Sequence, residues 1–188
     1  MEACAHQELP GNDRECLAIA QHYGLATRLL DWRTNPLVAT FFAASELPGA
    51  AGALFCYSAD LFVEHEIASL DAIGRVVGYR PRAIDERINR QQGVFTFHPE
   101  PNLELGAGQR EEPLGGPNLV KIQIPAEAKE SILTVLSDDG LDAHTLFPGL
   151  DGLSRKINHE TAQSLRRKAA GRLRSRAGGE DSASEGAG

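Results

Sequence analysis

The sequence predicts an α+β fold: a single mixed domain over about residues 12–160 in which a small sheet is flanked by helices. Two apolar patterns at helical spacing, over residues 15–23 and 36–45, predict the helices. Alternation of apolar Val120, Ile122 and Ile124 with polar partners within 119–124 predicts strand, and apolar content falls away after residue 161. Residues 1–11 read as a flexible N-terminus, 161–177 as a basic helical extension and 178–188 as a disordered Gly/Ala/Ser/acidic tail.

The elements follow in order. Asn12 or Asp13 caps a helix carrying Cys16, Ile19, Ala20 and Tyr23 on one face, and Gly24 is placed to end it. Thr34 or Asn35 caps a second helix, with Pro36 at its first position and a stripe of Leu37, Val38, Phe41 and Phe42. Between these helices the chain reads as a glycine turn and loop. Ala53–Tyr57 and Gln92–Phe97 read as strands, the second with aromatics at alternate positions, and Leu119–Ile124 is the clearest strand. A polar helical stretch is expected around Ala83–Asn89 and a Gly/Pro/Glu-rich loop from Pro99 to Pro117. After Pro125 a further amphipathic helix runs to Asp138-Asp139-Gly140, and a short terminal helix runs through Ile157.

Composition narrows the function classes. The 188 residues carry 41% hydrophobic and 24% charged side chains, which excludes collagen-like, disulfide-scaffold and wholly disordered chains. The net charge of −7 gives no whole-chain field favouring nucleic-acid backbones or anionic lipid. Residues 1–160 hold 13 basic against 23 acidic residues, so the body is acidic and the extension basic, and that basic run reads as a solvated face; no nucleic-acid partner is expected. Cys4, Cys16 and Cys56 form no C-x-x-C pair and point to a reducing compartment. No signal peptide or membrane-spanning run is present, so a cytoplasmic location without membrane partner is expected.

Residue constellations are sparse. The six histidines have no i, i+4 pairing, and His65-Glu66 lacks the second imidazole that a zincin helix needs, so no metal site is expected. The Gly49/Gly52 and Gly106/Gly108 pairs lack a Walker lysine and a strand-to-helix context, and no serine sits in a nucleophile elbow. The informative stretch is 17–39, LAIAQHYGLATRLLDWRTNPLVA, which gathers His22, Thr27, Arg28, Asp31 and Trp32 between two apolar helices. Loops held by rigid elements collect binding groups. From periodicity alone the structural account is the favoured one: His22 and Asp31 as caps and Trp32 as core.

This stretch closely resembles the FRG domain. Two later segments match the same family in the same order: 87–99, RINRQQGVFTFHP, and 146–153, LFPGLDGL, with Leu119–Pro125 falling where the family has a strand ending in Ile-Pro. The resemblance spans about residues 15–158. Residues 1–16 lack the Phe/Tyr-Arg-Gly tripeptide for which the family is named, and Ala26 and Arg33 stand where proline and threonine are usual. An N-terminally truncated fragment, or a member that has lost that arginine, is therefore among the expectations.

The order of an arginine, a histidine segment and a later Gln is similar to that of ADP-ribosyltransferase-like folds. The resemblance thus implies an NAD- or nucleotide-using enzyme with His22, Asp31 and Gln92 as catalytic residues and Arg28, Thr27 and Gln91 as ligand-binding ones. His22 would hydrogen-bond a ribose hydroxyl and Gln92 would position the reacting group, since an amide is no general base. Asp31 is the candidate carboxylate. Arg28 would hold phosphate or pair with Asp31, both uses of one planar fork. NAD is the implied substrate and a small nucleotide the implied partner; no other cofactor or protein partner is implied. The alternative is a non-enzymatic binding or interaction module in which these residues brace the loops.

Overall fold

The computed structural model describes residues 13–59, 61–63, 74–81, 86–100, 102, 105 and 119–180, with the side chains of all these but 13, 14, 22 and 173–180. The chain forms two compact units, residues 1–142 and 143–188. The first contains α1 (Asp13–His22), β1 (Leu29–Arg33), α2 (Pro36–Ser45), β2 (Gly52–Tyr57), β3 (Phe62–Val63), β4 (Val77–Tyr79), α3 (Glu86–Arg90), β5 (Gly93–Phe97), β6 (Leu119–Ile124), a 3-10 turn over Ala126–Ala128 and α4 (Lys129–Asp138). The second contains α5 (Ala143–Leu146) and α6 (Gly149–Glu180). Helices beside a small mixed sheet make this an α+β fold, as the sequence predicts.

The main sheet has the order β1-β5-β4-β3, antiparallel except for the β3–β4 pair. Its register aligns Leu29, Phe97 and Val77 in one row and Asp31, Phe95 and Tyr79 in the next. Because side chains alternate across a strand, all six project to one face. Leu29, Val77, Tyr79, Phe95 and Phe97 build the core there, together with Val63 and Ala18 of α1. Asp31 and Arg33 prolong the same face past the end of that core. A second sheet is the antiparallel pair β2–β6, in register from Gly52↔Ile124 to Tyr57↔Leu119.

Strand β1 corrects the sequence reading, which left Leu29–Arg33 in a loop between two helices. Its five residues pair with β5, some sixty positions away, and local pattern carries no information about so distant a partner. β5 begins at Gly93 rather than Gln92: Gln92 has φ 49° and turns the chain out of α3, its amide donating to the Asn89 carbonyl at 3.0 Å. β6 has the expected bounds, yet Val120 and Ile122 are exposed and only Ile124 is buried. Strands β3 and β4 have no counterpart in the sequence reading.

The helices follow their signals closely. At α2, the Asn35 side chain accepts from the Leu37 amide at 2.9 Å and Pro36 occupies the first turn. Val38, Phe41 and Ala44 face inward, whereas Leu37 is exposed and Phe42 half-buried, so the buried stripe is narrower than expected. Asn35→Ala removes this cap and is expected to cost about 1 kcal/mol, read as a lower urea midpoint with unchanged slope. The stops at Gly24 (φ 93°) and Gly140 (φ 81°) are left-handed, and the Leu25 and Leu141 amides reach back to the Ala20 and Leu136 carbonyls at 2.9 and 2.8 Å. Lys129 is buried at 3% exposure because its ammonium donates to the Glu46 and Leu47 carbonyls at 2.8 and 3.3 Å, closing the C-terminal end of α2.

In the second unit, the LFPGLDGL segment forms the corner between α5 and α6. Leu146 and Phe147 are buried, and a Cβ at Gly152 would collide with the Ala143 and Phe147 carbonyl oxygens. The short terminal helix expected through Ile157 is the first part of α6, which continues unbroken for 32 residues to Glu180. The tail expected over 178–188 therefore starts inside a helix, and from residue 181 it lies outside the described residues. No helix among the described residues is long and apolar enough to cross a membrane.

Candidate functional site

A cleft of about 620 Å³ opens in the first unit between β1, α2 and the β2–β6 pair. It is lined by Leu30 to Arg33, by Ala39, Phe42 and Ala43 of α2, by Ala53 to Phe55 of β2 and by Leu119. Its origin is legible in side-chain size: Ala39, Ala43 and Ala53 lie on two elements facing it, where larger residues would fill the space. Its volume falls in the range of small-molecule pockets, roughly 300–1,000 Å³.

The polar wall of the cleft is an ion pair. Asp31 and Arg33 are two residues apart on a strand, so both project to the same face, and the guanidinium meets the carboxylate with both of its terminal nitrogens, Nη2 to Oδ2 at 2.8 Å. Arg33 also donates from Nη2 to Gln91 Oε1 at 3.0 Å and from Nη1 to the Trp32 carbonyl at 3.0 Å, and lies 4.9 Å from the centre of the Phe42 ring. Its side chain is 11% exposed, that of Asp31 30%. Burial of a charge at this depth requires such pairing. Each Asp31 oxygen accepts one bond from Arg33 and keeps further acceptor capacity toward the cleft.

On the opposite face of the strands, Trp32 Nε1 donates to Thr96 Oγ1 at 3.0 Å, and Thr96 Oγ1 lies 3.0 Å from His98 Nε2. Thr96 and His98 are buried. The Trp32 ring also meets that of Tyr57, with centroids 5.6 Å apart. These contacts fix the indole, whose residue lines the cleft.

The residues expected from sequence are partly brought together. Asp31 lines the cleft and Gln91, 1% exposed, meets it through Arg33. Arg28 does not pair with Asp31: an odd spacing puts the two on opposite faces, and the exposed Arg28 guanidinium reaches the Pro99 carbonyl at 3.5 Å. Thr27 Oγ1 donates to Gln21 Oε1 at 2.7 Å and accepts from the Leu29 amide at 3.1 Å, a brace at the strand entry. Gln92 is an exposed turn residue whose carbonyl accepts from the Thr34 amide at 3.1 Å, and it is not among the cleft residues. His22 ends α1, and its side chain lies outside the described residues.

Sequence reasoning missed Arg33, Thr96 and His98. Arg33 stood out only as a departure from a family pattern. Had Leu29–Arg33 been read as strand, the i, i+2 spacing of Asp31 and Arg33 would have identified the pair.

The family model of the FRG domain matches residues 2–49, in agreement with the resemblance carried by the 17–39 stretch. The matched segment includes β1 and α2, and so the ion pair and the alanines of α2. No curated protein and no solved structure matches the chain.

Proposed function

We propose that the chain is a binding module whose cleft takes a planar, mostly apolar group of nucleobase class. The observation that carries this is the combination of an apolar cleft of ligand size with a partly exposed carboxylate in its wall. Trp32, Phe42 and Phe55 are the aromatic residues of its lining, and base–aromatic stacking contributes about 1–3 kcal/mol per base. Asp31 supplies an acceptor for a ring or exocyclic N–H, and its pairing with Arg33 holds the carboxylate in place and offsets its charge.

The catalytic reading is a second one, favoured by the same carboxylate: Asp31 would receive a ribose hydroxyl of NAD. Against it, Arg28, Gln91 and Gln92 are not cleft residues.

Isothermal titration of the full chain with adenosine and with NAD tests the proposal. Ala53→Phe, which fills the cleft, is expected to weaken binding at least tenfold while the thermal midpoint stays within a few degrees of wild type; Ala39→Leu serves as a second filling variant. Binding unaffected by either filled cleft, or none to the wild type, would overturn the reading. Nicotinamide release from NAD that is lost in Asp31→Asn would establish the catalytic reading instead.

A further inference from the structure

Charge is sharply segregated along the chain, and the structure places the basic run on one continuous helix. Residues 161–177 hold Arg166, Arg167, Lys168, Arg172, Arg174 and Arg176 and no Asp or Glu. The sequence alone reads this run as a solvated face beside a flexible tail. In the structure all six positions lie within the single helix α6. A helix rises about 1.5 Å per residue, so positions 166–176 span roughly 15 Å of axis.

The arrangement around the axis matters as much as the number. At about 100° per residue, Arg166, Arg167, Lys168 and Arg172 are distributed over most of the circumference rather than along one stripe. All four are exposed. A flat acidic protein surface would engage one side of such a helix and leave the remainder facing water. An anionic lipid surface calls for an apolar face opposite the cations, and over residues 161–172 Leu165 is the single exposed large apolar residue. A groove with phosphates on both flanks satisfies cations on several sides at once. The major groove of B-form DNA admits one α-helix, with a phosphate strand on either side. Five of the six cations are arginines, whose planar fork matches phosphate oxygens in pairs.

We infer that the 161–177 segment of α6 is a DNA-docking helix that binds the phosphate backbone of duplex DNA through its arginines, without base specificity. The rest of the chain, with 13 basic and 26 acidic residues, is repelled by the same polyanion, which confines contact to this helix and makes it steeply salt-dependent. This inference is independent of the cleft and its ligand.

The test is fluorescence anisotropy of the full chain with a labelled 20-base-pair DNA duplex of mixed sequence, over a salt series from 50 to 200 mM. The expected result is binding whose log–log salt slope is near −4, corresponding to four or five neutralised phosphates at about −0.9 each. Replacing Arg166, Arg167, Lys168 and Arg172 together by Gln should weaken binding at 50 mM at least a hundredfold and flatten the slope by about three and a half. Replacing the three arginines among them by Lys should retain most of the affinity, and circular dichroism checks that α6 persists in both variants. Double-stranded RNA of equal length should bind more weakly, since its narrow major groove excludes a helix. No binding at 50 mM, equal binding by the Gln variant or by the RNA duplex, or retention on phosphatidylserine vesicles in preference to DNA would each overturn the inference.

Discussion

Truncating Phe95 to alanine is expected to leave the first unit at the edge of unfolding. Phe95 is 1% exposed, sits opposite Asp31 on one side and Tyr79 on the other, and touches the row that joins three strands. Phe→Ala in a core costs about 3–5 kcal/mol, from lost transfer energy and the cavity left behind, against total stabilities of about 5–15 kcal/mol. Tyr79, Phe97 and Val77 are themselves held in strand register and cannot collapse into the space. Urea unfolding followed by circular dichroism should show a midpoint lowered by more than one molar. A shift no larger than that of a surface substitution would mean that this face of the sheet is not the core.

Arg33→Met is the second large effect. It removes both hydrogen bonds to Asp31, those to Gln91 Oε1 and the Trp32 carbonyl, and the stacking over Phe42. The Asp31 carboxylate, 30% exposed, is then only partly compensated by water, and Gln91 at 1% exposure loses a donor that water cannot replace. Loss of one partner of a half-buried charged network costs about 2–3 kcal/mol on this basis. The double variant Asp31→Leu/Arg33→Met removes both charges together and should be less destabilised than Arg33→Met alone, because no uncompensated carboxylate remains. Equal losses in the two variants would show that the ion pair is not what Arg33 contributes. Urea midpoints of the single and double variants decide between these outcomes.

Helices were the most legible part of the fold, because their signals are local. Asn35-Pro36 opens α2, and Gly24 and Gly140 close α1 and α4, each through bonds within one or two turns. Strand β6 was legible from alternation alone. Strand β1 was not, since the alternation Leu30-Asp31-Trp32-Arg33 covers only four residues between two helix signals, and its polar side chains take the ion pair on the same face as buried Leu29. Their partners come from β5, which local reading cannot reach. The same gap explains the site. Asp31 and Gln91 were identified, but the arginine that joins them was passed over, and Gln92 was placed in a strand although its φ of 49° puts it in a turn.

The sequence contains a single tryptophan, and Trp32 lines the cleft, so the protein carries its own reporter at the proposed site. Titrating the full chain with adenosine while following tryptophan emission tests the central claim most directly. A saturable change in intensity or wavelength in the wild type, abolished in Ala53→Phe, is the predicted result. A non-saturating response equal to that of a free tryptophan amide, or one identical in the filled variant, would contradict the assignment of this cleft as the binding site.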